Sequence, residues 1–216
     1  MTARLAVFDC DGTLVDGQAD ICDTMVHAFE RASLHVPDRN DVRRIVGLSL
    51  PVAIRRLDPG ISDNDAKNVV EFYKSGYFAR REEGLLREPL YEGIAELLSN
   101  LQADGWQLAV ATGKSDRGLA AVLAAHGLTD LFVSLQTADR HPSKPHPAML
   151  EAALFEAGAA PNDAVMIGDT TFDMQMAVAA GVRAVGVAWG YHEPSELSET
   201  GAQAVAQQVA DLEHLL

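Results

Sequence analysis

Asp9 and Asp11 stand one residue apart, directly after the apolar run Leu5-Ala6-Val7-Phe8 and just before Gly12-Thr13. Side chains alternate along an extended chain, so both carboxylates leave on the same side. Two like charges held together need a cation, a shared proton or open water. A second pair, Asp169 and Asp173, follows the apolar run Ala164-Val165-Met166-Ile167 and Gly168. Between the pairs lie Thr112 in Thr112-Gly113-Lys114 and Lys144 in Ser143-Lys144-Pro145-His146-Pro147. Singly, each has an ordinary account: a solvated Asp-Gly turn, a capping threonine, a surface lysine, acids at a helix N-terminus. Jointly they offer acid ligands for a hard cation, a hydroxyl, a fixed positive charge and N–H groups in Gly-containing loops. Phosphoryl transfer requires such a set: an oxygen nucleophile, in-line geometry and positive charge around the phosphoryl oxygens. Magnesium accepts carboxylate, carbonyl and water oxygens and leaves room for a substrate phosphate.

These residues need elements to hold them in one place. Leu5–Phe8 reads as a strand buried on both faces, the kind found inside a parallel sheet. From Asp20 to Ala32, Ile21, Met25, Ala28 and Phe29 recur at helical spacing. Further helical pieces are predicted around 39–46, 49–57 and 63–82, separated by Pro37-Asp38, Gly47 and Asp58-Pro59-Gly60. Nothing in 16–83 reads as a strand. From Ile94 onward, helices alternate with strands at 106–111, 131–135, 164–167 and 182–189, and a last helix carries Val209, Leu212 and Leu215 or Leu216. That rhythm predicts an α/β fold: a doubly wound, mostly parallel sheet from residues 1–15 and 84–216, with a helical domain of residues 16–83 inserted after the first carboxylates. Ligands of such sheets gather beyond the carboxyl ends of the strands, where all four polar clusters fall.

Composition narrows the partners. The 216 residues carry a formal net charge of −14, which argues against nucleic acid or an anionic membrane and suits a divalent cation. Residues 16–83 hold ten Lys/Arg against twelve Asp/Glu, so the remainder holds seven against nineteen. The inserted segment is therefore nearly neutral in an acidic protein. The two cysteines, Cys10 and Cys22, are too few for a disulfide framework or a cysteine zinc site. With no signal pattern and no apolar run of membrane-spanning length, a cytoplasmic location with reduced thiols is expected.

Asp9-Cys10-Asp11-Gly12-Thr13, Thr112-Gly113-Lys114, Lys144-Pro145 and Gly168-Asp169 with Asp173 occur in the order found in the haloacid dehalogenase superfamily, which the chain resembles. Residues 16–83 then match the helical cap placed after the first motif. Arg44-Ile45-Val46-Gly47, Lys144-Pro145-His146-Pro147 and Trp189-Gly190-Tyr191 are most similar to the phosphoglycolate phosphatase branch. The resemblance implies that Asp9 is a nucleophile forming an aspartyl phosphate and that Asp11 is the general acid and base. It implies that Asp9, the backbone carbonyl of Asp11, Asp169 and Asp173 hold Mg2+. It further implies that Thr112 and N–H groups around Cys10, Asp11 and Gly113 hold the phosphate, and that Lys144 neutralises the crowded carboxylates. The implied substrate is a small phosphorylated metabolite.

The acidic core and arginine-bearing insertion suggest that an inserted arginine grips an acidic ester, with Arg44 or Arg55 the candidates. Cys10 is expected to be an inert filler, its thiol pKa raised by the flanking carboxylates. A dehalogenase has no need of Asp11, and a phosphonate-cleaving relative replaces it. A sugar-phosphate mutase of the same fold and a non-catalytic phosphate-binding protein remain the alternatives. Transfer to a second hydroxyl would mark the first, and absence of turnover the second. The oligomeric state, monomer or dimer, stays open.

Overall fold

The computed structural model describes residues 3–216. Its central strand is β1 (Leu5–Phe8), whose four side chains have no exposed area. Burying each large apolar side chain there contributes about 1.5–3 kcal/mol. β1 pairs in parallel with β2 (Gln107–Thr112) on one side and β4 (Ala164–Gly168) on the other. With β3 (Phe132–Thr137), β5 (Arg183–Val187) and β6 (Ala204–Ala206) the sheet order is β3-β2-β1-β4-β5-β6, every pair parallel. The direction of winding reverses between β1 and β4. The crevice outside their carboxyl ends is where such a sheet holds ligands.

Alternation along β1 divides the core. Ala6 and Phe8 pack with Leu97 of α5 (Ile94–Ala103), Val122 of α6 (Asp116–Ala125) and Leu212 of α10 (Leu212–Leu215). Leu5 and Val7 pack on the other face with Leu150 of α7 (Ala148–Ala157), Met174 of α8 (Thr171–Ala179) and Leu197 of α9 (Pro194–Glu199). Helices on both faces are the doubly wound arrangement.

Between β1 and α5 come four helices: α1 (Gln18–Arg31), α2 (Arg39–Arg44), α3 (Leu50–Leu57) and α4 (Asp63–Glu82). Met25, Phe29, Val42, Ile54 and Val69 give them an apolar cluster of their own. Ser62 caps α4 by accepting from the Asp65 N–H at 3.1 Å, and Asp38 caps α2 by accepting from the Asn40 N–H at 2.7 Å. The chain leaves and re-enters the sheet on a two-stranded stem. There Val15 bridges Leu90, and Asp16 N–H donates to the Pro89 carbonyl at 2.9 Å.

The C-terminal quarter departs from the pattern read in the sequence. The strand expected over 182–189 stops at Val187, and α9 and β6 were not foreseen. The chain must turn after Val187 because the Tyr191 N–H donates to Asp169. A three-residue strand and a six-residue helix with one buried side chain are too short to show a period.

Candidate active site

Three strand ends form the floor of the site. Asp9 directly follows β1, and its own N–H pairs with the Ile167 carbonyl of β4 at 2.9 Å. This registers Asp9 beside Asp169, which follows β4. Asp173 sits in the first turn of α8, where its Oδ2 accepts from the Thr170 N–H (3.1 Å) and hydroxyl (2.7 Å). Its Oδ1 takes the Lys144 ammonium at 2.5 Å. Asp173 is thus a helix-capping acid and a member of the cluster at once. Lys144, with no side-chain exposure, also lies 2.9 Å from Asp9 Oδ1.

Asp169 accepts from the Thr13 hydroxyl and from the Tyr191 N–H, each at 2.9 Å. Glycines make the fit possible. A Cβ on Gly190 would lie 2.1 Å from Asp169 Cβ, and one on Gly168 would lie 2.4 Å from the Asp173 carboxyl carbon. Gly12 adopts φ +84°, and a Cβ there would meet Asp169 Oδ2 at 2.2 Å. One oxygen each of Asp9, Asp169 and Asp173 falls within 4.8 Å of the others.

Three carboxylates share one ammonium, and the electrostatics reflect the shortage. Burial, reinforced by Asp173 and opposed by Lys144, pushes the Asp9 pKa up to about 7. Burial, then Asp9 and Asp173, raises Asp169 well above the usual carboxylate range. Burial works against the Lys144 charge, yet Asp173 and Asp9 outweigh it and raise the ammonium pKa. Asp9 Oδ1 is held by Lys144 and, at 2.6 Å, by the Cys10 N–H, while its Oδ2 is buried with no partner. An orphaned carboxylate oxygen beside two further buried acids fits a divalent cation, which would restore the missing charge.

Asp11 turns its side chain to a different partner. Lys114 Nζ lies 2.8 Å from Asp11 Oδ1 and 2.9 Å from Glu88 Oε1. Glu88 in turn receives the Tyr77 hydroxyl at 2.8 Å and Arg81 at 2.6 Å. Burial raises the Asp11 pKa while Lys114 lowers it, leaving a carboxyl above its ordinary value. Asp9, Asp11, Thr112 and Gly113 open onto one cavity of about 470 Å³, covered by residues of α1, α3 and α4 and the turn after α2. Gly113 meets that cover closely: a Cβ there would lie 2.6 Å from the carbonyl oxygens of Gly47 and Leu48.

Several expectations need correction. Arg44 makes a bidentate pair with Glu196, both contacts 2.6 Å, at the place where the Gly190 carbonyl and the His192 ring meet the end of α2. Arg55 pairs with Asp63 at 2.6 Å in solvent, and neither arginine lines the cavity. Arg81 and Arg117 line it instead. The Cys10 N–H donates to Asp9 Oδ1. The Cys10 thiol is raised chiefly by burial and only then by Asp11. No correction arises for Asp11: its side chain is outside the carboxylate cluster, and the expectation for this residue concerned its backbone carbonyl.

Lys114, Glu88, Thr13 and Tyr191 carry contacts that the motifs alone did not assign. Lys114 stood inside a motif already singled out, and Glu88 stood at the expected re-entry of the chain. Their charge was the available signal, but only folding pairs them.

A family described as haloacid dehalogenase-like hydrolase matches residues 6–187. This chain belongs to that family. It is 35% identical to the "Probable phosphatase IndB" of Dickeya dadantii, over 96% of this chain and 91% of that protein. It is 32% identical to a phosphoglycolate phosphatase of Pseudomonas savastanoi pv. phaseolicola, over 97% of this chain and 78% of that protein. Among solved structures, a predicted phosphoglycolate phosphatase from Haemophilus somnus aligns with TM-score 0.85 at 25% identity, covering 100% of this chain and 98% of the other. The protein is an enzyme of the family's phosphatase kind, similar to the phosphoglycolate phosphatases. No helix among the described residues is long and apolar enough to cross a membrane.

Proposed function

We propose that this hydrolase cleaves a small phosphate monoester with Mg2+, by way of a phosphate ester on Asp9. The observation that carries the reading is the buried group of Asp9, Asp169 and Asp173, with Lys144 as its only ammonium and Asp9 Oδ2 unpartnered among the described residues. Asp9, Asp169 and Asp173 would hold the cation, with the Asp11 carbonyl as a further ligand. Bound there, the cation supplies charge neutralisation for a phosphoryl group approaching a carboxylate.

An Asp9 carboxylate oxygen forms a bond to phosphorus as the bond to the alcohol oxygen breaks. Asp11, which borders the same cavity, gives a proton to the departing alcohol oxygen. In the second half, Asp11 as carboxylate takes a proton from water while that water's oxygen bonds to phosphorus. Asp9 is released and inorganic phosphate leaves. Thr112 and Gly113 border the cavity where the phosphoryl oxygens would rest, and Lys144 holds Asp9 Oδ1 and opposes the burial that favours its protonation.

The test is phosphate release from a panel of monoesters by purified protein, with Mg2+ or with chelator. Hydrolysis should require Mg2+, and Asp9→Asn should lower kcat by about 10⁴-fold or more, since an amide is a poor nucleophile. Undiminished turnover by Asp9→Asn, or full activity in chelator, would overturn the reading.

A further inference from the structure

The cover of the cavity is largely apolar. Ile21 and Met25 of α1, Val46 and Leu48 of the turn after α2, and Tyr73 and Phe78 of α4 border it. The rings of Tyr73 and Tyr77 stack at 5.6 Å with an interplanar angle of 17°, an aromatic panel of two near-parallel rings.

The cations at this cavity are engaged by groups of the protein. Lys114 lies between Asp11 and Glu88, and Arg81 pairs with Glu88. Arg117 places its guanidinium 3.6 Å from the Phe78 ring centre. Lys74 is exposed at the edge, where water screens its charge. A ligand carboxylate reaching Lys114 or Arg81 would have to draw it away from Glu88, while Arg117 and Lys74 offer only exposed, solvent-screened charge. Stripping one partner from a buried ion pair leaves an uncompensated charge, the costly outcome. A flat, uncharged group meets no such obstacle. It gains burial and stacking against the aromatic panel.

Size points the same way. The cavity of about 470 Å³ falls within the ~300–1,000 Å³ of pockets that enclose ring-bearing ligands, whereas a two-carbon acid would leave much of it to water.

We infer that the cavity takes a phosphate-bearing ligand whose other part is an uncharged, planar ring group and not a short carboxylate chain. Tyr73 and Phe78 are the residues that select it. As a statement about substrate, this rests on the phosphatase reading above; as a statement about binding, it does not.

Binding of benzylphosphonate and of phosphonoacetate to the Mg2+-loaded enzyme is measured by calorimetry, alongside kcat/KM for benzyl phosphate and 2-phosphoglycolate. Benzylphosphonate should bind about tenfold or more tightly than phosphonoacetate. Tyr73→Ala should lower that ratio about fivefold, while Tyr73→Phe, which keeps the ring, should retain it. Should Tyr73→Ala fail to fold, Phe78→Leu serves in its place with the same expected fall. Phosphonoacetate binding as tightly as benzylphosphonate, no detectable benzylphosphonate binding, or a ratio indifferent to both positions would overturn the inference. Tight benzylphosphonate binding without hydrolysis of either ester would instead sink the phosphatase reading while upholding the cavity's preference.

Discussion

On the strand-end floor, Asp9, Asp169, Asp173 and Lys144 make their contacts with one another, with the backbone N–H groups of Cys10, Thr170 and Tyr191, and with the hydroxyls of Thr13 and Thr170. On the helical cover, Arg44, Arg55 and Arg80 each reach the nearest carboxylate outside the cavity: Glu196, Asp63 and Asp20. The floor concentrates like charge in a dry place and is left short of a cation. The cover disperses its charge into ordinary ion pairs and presents apolar surface inward. The chemistry therefore resides in what is buried on the floor, and selectivity in the shape and polarity of what hangs over it.

The largest effect that separates the two regions should come from Asp11, which belongs to the floor by sequence but contacts the cover's network through Lys114 and Glu88. Asp11→Asn should slow turnover by about 10²–10⁴-fold, the worth of a general acid and base. Steady-state kinetics should show the loss in kcat with KM little changed. A rise in KM at constant kcat would move Asp11 from proton transfer to binding.

The same small change made in each region should give different symptoms. Gly190→Ala drives a Cβ against Asp169, where strand ends and the Tyr191 N–H allow no retreat. Overpacking of about 1–3 kcal/mol is expected, lowering Tm by roughly 3–10 °C at this chain length. Gly113→Ala presses on the Gly47 and Leu48 carbonyls, which lie in the turn between α2 and α3 and not at a strand end. Its Tm should move by less than about 2 °C, with the loss appearing in kcat/KM. Thermal melts paired with assays of both variants decide the matter, and equal Tm losses would erase the distinction.

Charge shortage on the floor also predicts a pH dependence. The Asp9 pKa is about 7 in the folded protein, against an ordinary 3.8. Between these values the unfolded chain has released the proton that the folded one retains, so rising pH favours unfolding. In chelator, Asp9→Asn lacks this penalty, and its Tm relative to wild type should climb from pH 4 to pH 7. Mg2+ should narrow the gap by stabilising the ionised carboxylates. A flat difference across that range would contradict the charge shortage.

The smallest effects belong to the arginines of the cover. Arg44 pairs with Glu196 and Arg55 with Asp63 at sites open to solvent, and such pairs contribute about 0–1 kcal/mol. Arg44→Ala and Arg55→Ala should leave kcat/KM within about twofold for acidic and neutral esters alike. A selective loss on acidic esters would return one of them to the substrate.

Local signals in the chain were enough for the parallel sheet, the helical segment after β1 and the grouping of Asp9, Thr112, Lys144, Asp169 and Asp173 at strand ends. Buried strands announce themselves by continuous apolar runs, and topology alone sends their carboxyl ends to one edge. What lies above that edge depended on side chains far apart in sequence. Glu88 and Lys114, 26 residues apart, meet only because β2 and the returning stem lie together. Arg44 and Glu196, 152 residues apart, meet because the loop carrying Gly190 and His192 holds the end of α2. A long charged side chain has no periodicity, and its partner is whichever opposite charge the packing brings within reach. That is why the chain's own order disclosed the carboxylate floor, while the engagement of each arginine and the apolar character of the cavity were decided by the tertiary structure.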